Sequence, residues 1–191
     1  MKYIALYVFL LGVGLLGCAD DAYTLAVERE FTDDEVIMIE SAVEEWIVAC
    51  DCEDAAVFFR YDLSDNDNSL SYDEWKNHDG FGRLWKMHVT DPAFLEEERQ
   101  RVKKGEGSFV GIHRDGNIGL VAEKLEDNEN NFYNVMLHEL GHMYGIKNHL
   151  PDGIMRSGGT YDHPRESCID WRALSKFCEK HLCGPDAHPT C

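Results

Sequence analysis

Asn131–Met155 reads NFYNVMLHELGHMYGIKNHLPDGIM, and this stretch decides how the chain is read. Phe132, Val135, Met136, Leu140 and Met143 recur at helical spacing, which predicts a helix over Asn131–Tyr144 with one buried stripe. Gly145 follows as a left-handed C-cap. His138 and His142 stand one helical turn apart, so both imidazoles can reach a single metal ion. Glu139 lies beside them on the same helix. The bland alternative is a surface H-E-x-x-H that holds no metal. It is disfavoured because two histidines and a glutamate beside a core stripe are costly unless paired or ligated. The residue set suits zinc-promoted hydrolysis, in which the metal acidifies a water, polarises a carbonyl, and Glu139 moves the proton as general base.

The run His138–His149, HELGHMYGIKNH, followed by Gly153-Ile154-Met155, resembles the metzincin signature H-E-x-x-H-x-x-G-x-x-H with its Met-turn. The likeness is strongest to small bacterial matrixin-like secreted or lipoprotein peptidases, and in looser form it extends from Phe31 to about Cys183. The chain departs from the signature at the third ligand, where Asn148 stands in the histidine position and His149 follows one residue later. Snapalysin-like metzincins also vary here, with Asp. Asn is a poor zinc ligand beside neutral imidazole, and one extra residue after a glycine turn is easily absorbed. His149 is therefore the expected third metal ligand, with Asn148 and His163 as the alternatives.

The resemblance implies an α+β, metzincin-like catalytic domain. It would hold a small twisted mixed sheet with an antiparallel edge strand, an active-site helix and a disulfide-tied C-terminal subdomain. It implies that Met155 is an apolar floor under the metal and not a ligand. It also implies that Ser108–His113 is the edge strand to which an extended protein or peptide substrate adds. The activity expected is that of a zinc metalloendopeptidase, with His138, His142 and His149 on Zn2+ and Glu139 as the catalytic base. Two rivals stand beside it: an exported zinc-binding lipoprotein without turnover, and a zinc hydrolase of a non-peptide substrate. An intact Glu139 speaks against the first, since binding alone does not need it.

The start of the chain bears on its compartment. Met1-Lys2 precedes the apolar run Tyr3–Gly17, too short to span a membrane comfortably, and Leu15-Leu16-Gly17-Cys18 resembles a bacterial lipobox. The expected organisation is a signal peptide over 1–17, a tether over 18–30 after a lipidated Cys18, and one catalytic domain over 31–191. The mature chain is then exported, either lipid-anchored at the envelope or secreted, and meets a membrane only through Cys18. Setting Cys18 aside leaves six of the seven cysteines, an even number that suits disulfides in an exported protein. Four of them, Cys168, Cys178, Cys183 and Cys191, crowd the C-terminal segment and predict stapling there. Cys183-Gly184-Pro185-Asp186 is similar to the core of the matrixin cysteine switch. It lies on the wrong side of the catalytic motif, and a disulfide is the preferred reading.

The formal net charge of −18 argues against nucleic-acid binding and against a polybasic membrane patch, and is read as solubility. A monomer is expected. Thr32-Asp33-Asp34-Glu35 is a capping box opening a helix that buries Val36, Ile39, Val43, Trp46 and Ile47 and ends near Cys50. Ala55–Tyr61, Ser108–His113 and Ile118–Glu123 read as strands, with turn residues Arg114–Asn117 between the last two. Phe94–Lys104 reads as partly helical or exposed, Asp170–His181 as a final helix, and Tyr72–Trp85 is left without an assignment. In Asp62–Glu74, the residues Asp65, Asp67, Ser69, Ser71 and Glu74 fall at calcium-loop positions. Leu63 takes the first position and Asn68 replaces the usual glycine, so a solvated acidic loop is preferred and Ca2+ is the alternative. His78, His88, His113, His181 and His188 have no ligand spacing and are read as surface or core residues.

Overall fold

Thr32 opens the first helix as its capping box requires. The computed structural model describes residues 24–28, 30–51, 58–61, 82–106, 109–125, 129–156, 168–179 and 183–191. Thr32 N–H donates to Glu35 Oε2 at 2.6 Å, and Glu35 N–H donates to Thr32 Oγ1 at 3.3 Å. The helix, α1 (Asp33–Cys50), buries Val36, Ile39, Val43 and Trp46 as expected, while Ile47 is only half-buried. It ends at Asp51, which adopts the left-handed conformation with φ 53°.

A five-stranded sheet lies behind α1. Its strands are β1 (Thr24–Val27), β2 (Phe58–Tyr61), β3 (Gly82–Met87), β4 (Gly111–Arg114) and β5 (Asn117–Val121), in the order β2-β1-β3-β5-β4. β1 runs parallel to β2 and β3, β3 runs parallel to β5, and β4 pairs antiparallel with β5 at the edge. The chain is thus α+β with a mixed sheet and an antiparallel edge strand.

Two expectations need correction. Residues 18–30 are not a tether throughout, because Thr24–Val27 is a strand between β2 and β3, with Leu25 and Val27 buried. Two short apolar positions next to a signal-like leader did not stand out as a strand in the sequence. Part of Tyr72–Trp85, left without an assignment, enters β3, which lies between β1 and β5. Arg83 and Lys86 obscure its pattern. Their charges are accommodated locally: Lys86 Nζ reaches Glu35 Oε1 at 2.9 Å and stands over the Phe31 ring.

The remaining helices are α2 (Pro92–Lys103), α3 (Ala122–Leu125), α4 (Glu129–Met143) and α5 (Trp171–Cys178). The expected strand Ile118–Glu123 stops at Val121, because Ala122 begins α3 and Glu123 turns out to meet His88 and the amide of Val89. The main core fills the space between the sheet and α1, α4 and α5. A second cluster lies on the other face under α2: Trp85, Met87, Phe94, Phe109, Ile112 and Val121. Burial on both faces explains why Ile118–Val121 of β5 reads without polar interruption.

The C-terminal segment is stapled by Cys168–Cys191 and Cys178–Cys183. Cys183 is therefore spent in a disulfide. Cys50 is also disulfide-bonded. The calcium-like loop Asp62–Glu74, the leader 1–17, Cys18, His78, His163 and His181 lie outside the described residues.

Trp46 joins the layers. Its ring stacks on Phe177 at 5.4 Å and meets the edge of Tyr144 at 5.8 Å, and its Nε1–H donates to Leu137 O at 3.1 Å. Trp46→Ala should destabilise the protein by about 3–5 kcal/mol, the cost of emptying a large aromatic site. Ile37→Ala, on the exposed side of the same helix, should change stability by less than about 0.5 kcal/mol. Urea unfolding of both variants checks the contrast.

Candidate metal centre

The helix α4 is built from its apolar stripe: Phe132, Val135, Met136, Leu140 and Met143 are all buried, and the stripe fixes its rotation against the core. The opposite edge of that stripe carries His138 and His142. The helix ends as the glycine requires. Gly145 adopts φ 94°, Ile146 N–H donates to Gly141 O at 3.0 Å, and Gly145 N–H donates to His142 O at 2.9 Å. This is the Schellman pattern, and it reverses the chain so that Ile146–His149 returns over the helix.

The return brings three ring nitrogens together. His142 Nε2 lies 3.1 Å from His138 Nε2 and 3.3 Å from His149 Nε2. The ligand atoms of all three residues lie within 4.8 Å of one another. The other nitrogens of two rings are committed: His138 Nδ1 stands 2.7 Å from Ile154 O and His142 Nδ1 stands 2.6 Å from Ile146 O. A carbonyl can only accept, so each Nδ1 carries the proton and each Nε2 presents a lone pair. Neither Nε2 can then hydrogen-bond the other. Lone pairs aimed at one another repel unless a cation stands between them. Zinc–nitrogen bonds of about 2.0–2.1 Å in tetrahedral array place ligand nitrogens about 3.3–3.4 Å apart, which fits the spacing seen. The three histidines therefore form a group that can hold a metal ion, and backbone carbonyls on the distal nitrogens are the usual way such ligands are oriented.

Burial keeps the rings neutral. It pushes His138 down to about 3, with the Ile154 carbonyl acting in the other direction. His142 and His149 are also lowered, first by burial. Glu139 is buried as well, and there burial works in the opposite sense, raising the carboxyl to about 8 against the pull of Arg101. Its side chain lies against the backbone of β4: a Cβ on Gly111 would stand 2.7 Å from Glu139 Oε1.

Met155 is fully buried and packs on Gly141, where an added Cβ would come within 2.3 Å of Met155 Sδ. Two residues escaped the sequence reading. Asp170 Oδ2 accepts from Ile154 N–H at 3.0 Å, and Ile154 O in turn receives His138 Nδ1–H. Gly153, at φ +72°, makes the approach possible, since a Cβ there would lie 2.0 Å from Asp170 Oδ2. Asp170 is visible in the sequence only as a candidate cap for α5, which it is: its Oδ1 accepts from Arg172 and Ala173 N–H. His113, read as an ordinary histidine, stacks on His142 with ring centroids 6.1 Å apart, and burial lowers it to about 4. Of the alternatives for the third ligand, Asn148 is exposed beside His149 and His163 lies outside the described residues. His88 bonds Glu123 and Glu30 at the surface, and His188 caps the carbonyl of Asp186.

No protein-family model matches the chain, and no curated protein sequence matches it.

Two predictions follow from the geometry. His149→Ala should weaken zinc binding by more than about 100-fold while Asn148→Ala leaves it nearly unchanged; competition with a chromophoric chelator measures both. The second concerns the chelator-treated protein. His113, His138, His142 and His149 are all lowered below 6.5, so the unfolded chain takes up protons that the folded chain refuses, and their stabilising contribution is lost as pH falls below 6.5. Glu139 is raised from 4.5 to about 8, so its contribution is full below 4.5 and is lost as pH rises towards 8. Four imidazoles outweigh one carboxyl between 4.5 and 6.5, and above that only the carboxyl still acts among these groups. Metal-free stability should therefore peak near pH ~6.5 and decline on both sides. Urea midpoints from pH 4.5 to 8 check this, and a curve rising steadily to pH 8 would contradict the burial of Glu139.

Proposed function

We propose that the chain is an exported, zinc-dependent endopeptidase of the metzincin type. The observation that carries this reading is the convergence of three neutral imidazole nitrogens beside a buried carboxyl, under a sheet-edge strand. The disulfides support an oxidising compartment. The antiparallel edge strand over the helix that bears the histidines supports an extended peptide as substrate.

His138, His142 and His149 would hold the ion. A zinc ion bound there supplies Lewis-acid chemistry, acidifying a water and polarising a carbonyl. Glu139 is the group that moves the proton. Its carboxylate takes the proton of the attacking water and passes it to the nitrogen of the leaving amine, so that the peptide bond breaks with charge balanced. The ionised form does this work, and any cation at the imidazoles favours it over the protonated form that burial alone would impose. Gly111 leaves the carboxyl uncovered by a strand side chain. The amide edge of β4 not paired with β5 is the side on which a substrate backbone would hydrogen-bond.

Residues 19–191, oxidised and refolded, should bind one zinc per chain and hydrolyse casein. Glu139→Gln should keep the zinc and lose at least about 100-fold in rate, since it removes the base and no ligand. Zinc loss in that variant would mean that the roles are misassigned. Zinc in both proteins with hydrolysis by neither would favour a binding protein or a non-peptide substrate.

A further inference from the structure

Arg101 lies in the last turn of α2, and the chain folds back over it. Glu106 N–H donates to Arg101 O at 2.9 Å and Gly105 N–H to Val102 O at 3.0 Å, with Gly105 at φ 77°. This Schellman turn fixes the helix end. The guanidinium stands over the Phe109 ring, 5.3 Å from its centroid, and pairs with Glu106 at 3.3 Å. Phe109 precedes by two residues Gly111, the strand residue packed on Glu139. A held cation, its side chain 29% exposed, therefore marks the N-terminal end of β4. Through Phe109 it stands beside the end of β4 that lies against Glu139. On a chain of net charge −18, a cation at this position is against the general trend.

Direction along the edge strand gives the position meaning. Gly111 lies against Glu139 and His113 against His142, so β4 crosses the centre from Gly111 towards His113. A peptide paired antiparallel with β4 runs the opposite way. The residues C-terminal to its scissile bond then pass towards Phe109 and Arg101.

We propose that Arg101 is a specificity-determining residue that receives a substrate carboxylate on the C-terminal side of the scissile bond. The inference rests on the peptidase reading above. Guanidinium and carboxylate match in charge and in hydrogen-bond geometry. Glu106 is an internal carboxylate paired with Arg101, and it competes with the substrate's. The substrate carboxylate has two sources, an acidic side chain or the end of the peptide itself.

The test uses the zinc-loaded chain and internally quenched peptides of one sequence. They carry Glu, Gln or Lys on the leaving side, each with a free or an amidated C-terminus. In parallel, fluorescence anisotropy measures binding of the same peptides to zinc-loaded Glu139→Gln, with and without Arg101→Gln. The parent should favour peptides bearing the carboxylate by about 10- to 100-fold in kcat/KM. Arg101→Gln should bring that ratio close to one, Arg101→Lys should restore part of it, Arg101→Glu should favour the Lys peptide, and Glu106→Gln should enlarge the parent's preference. Preference for Glu with an amidated end identifies the side chain as the source; preference for the free end regardless of side chain identifies the terminus. The ratio is the readout, so a partly unfolded variant lowers both arms alike. Equal rates on all peptides in the parent, or a preference that survives Arg101→Gln, would overturn the assignment. If the parent cleaves none of them, the peptidase reading fails, and the anisotropy ratio still decides Arg101: lost with Arg101→Gln it stands, absent from the start it falls.

Discussion

The Nε2 lone pairs of His138 and His142, held 3.1 Å apart and facing one another, repel in the absence of a cation. The chain must supply the restraint, and the residues around the site show how. Two carbonyls, Ile146 O and Ile154 O, fix the tautomer and the plane of His142 and His138. Each carbonyl is delivered by a turn that depends on a glycine in the left-handed region, Gly145 for the first and Gly153 for the second. Met155 then fits against Gly141, which also touches Trp46, so the turn is packed against the same helix whose histidines it orients. A side chain at any of these glycines would collide or strain the backbone, and the imidazoles would be free to rotate apart.

The turn at Ile154 is itself held from outside. Asp170 caps α5 with one oxygen and holds Ile154 N–H with the other, so α5 and the metal site share one carboxylate. The position of α5 depends in turn on the tail. Glu45 of α1 accepts from Ile169 N–H, from Thr190 Oγ1 and from Tyr133 OH, joining α1, α4 and the C-terminal segment at one half-buried carboxylate. Gly184 and His188 N–H donate to Cys50 and Ala49 O, and Cys168–Cys191 closes the arrangement. Burial and the neighbouring Glu45 carboxylate push the Tyr133 hydroxyl well above its ordinary range, so it remains a donor. The cysteine-rich tail is in this sense part of the scaffold behind the histidines. Its disulfides restrict the unfolded chain most where the metal turn needs a fixed support.

Local signals in the sequence were read with little loss. The Thr32–Glu35 box, the α4 stripe, Gly145 and the pair His138 and His142 are each decided by neighbours within about a turn, and each stands where spacing puts it, while His149 joins the pair one residue past the signature position. Signals that depend on distant partners were weaker. Thr24–Val27 is too short to announce itself and becomes a strand only because β2 and β3 flank it. Gly82–Met87 carries Arg83 and Lys86, which look like surface until Glu35 and Phe31 arrive from another element. Asp170 looks like a helix cap and nothing more, because its second partner lies in a loop sixteen positions away. His113 has no ligand spacing at all; only the pairing of β4 with β5 brings it over His142.

Burial also explains how one site, on the proposed reading, holds both a base and a set of ligands. The same low-dielectric surroundings that strip protons from His138 press a proton onto Glu139, so without a cation the centre is close to neutral and needs no compensating charge. A divalent ion would add two positive charges to that interior, and ionisation of Glu139 would return one negative charge beside it. The cost of burying the ion falls by the attraction between them, which is large where water is scarce. An exposed glutamate would already be ionised and hydrated, and would gain less from the ion. On the proposed reading, burial of Glu139 therefore increases what the ion gains from it, and the backbone of β4 at Gly111 supplies part of that burial.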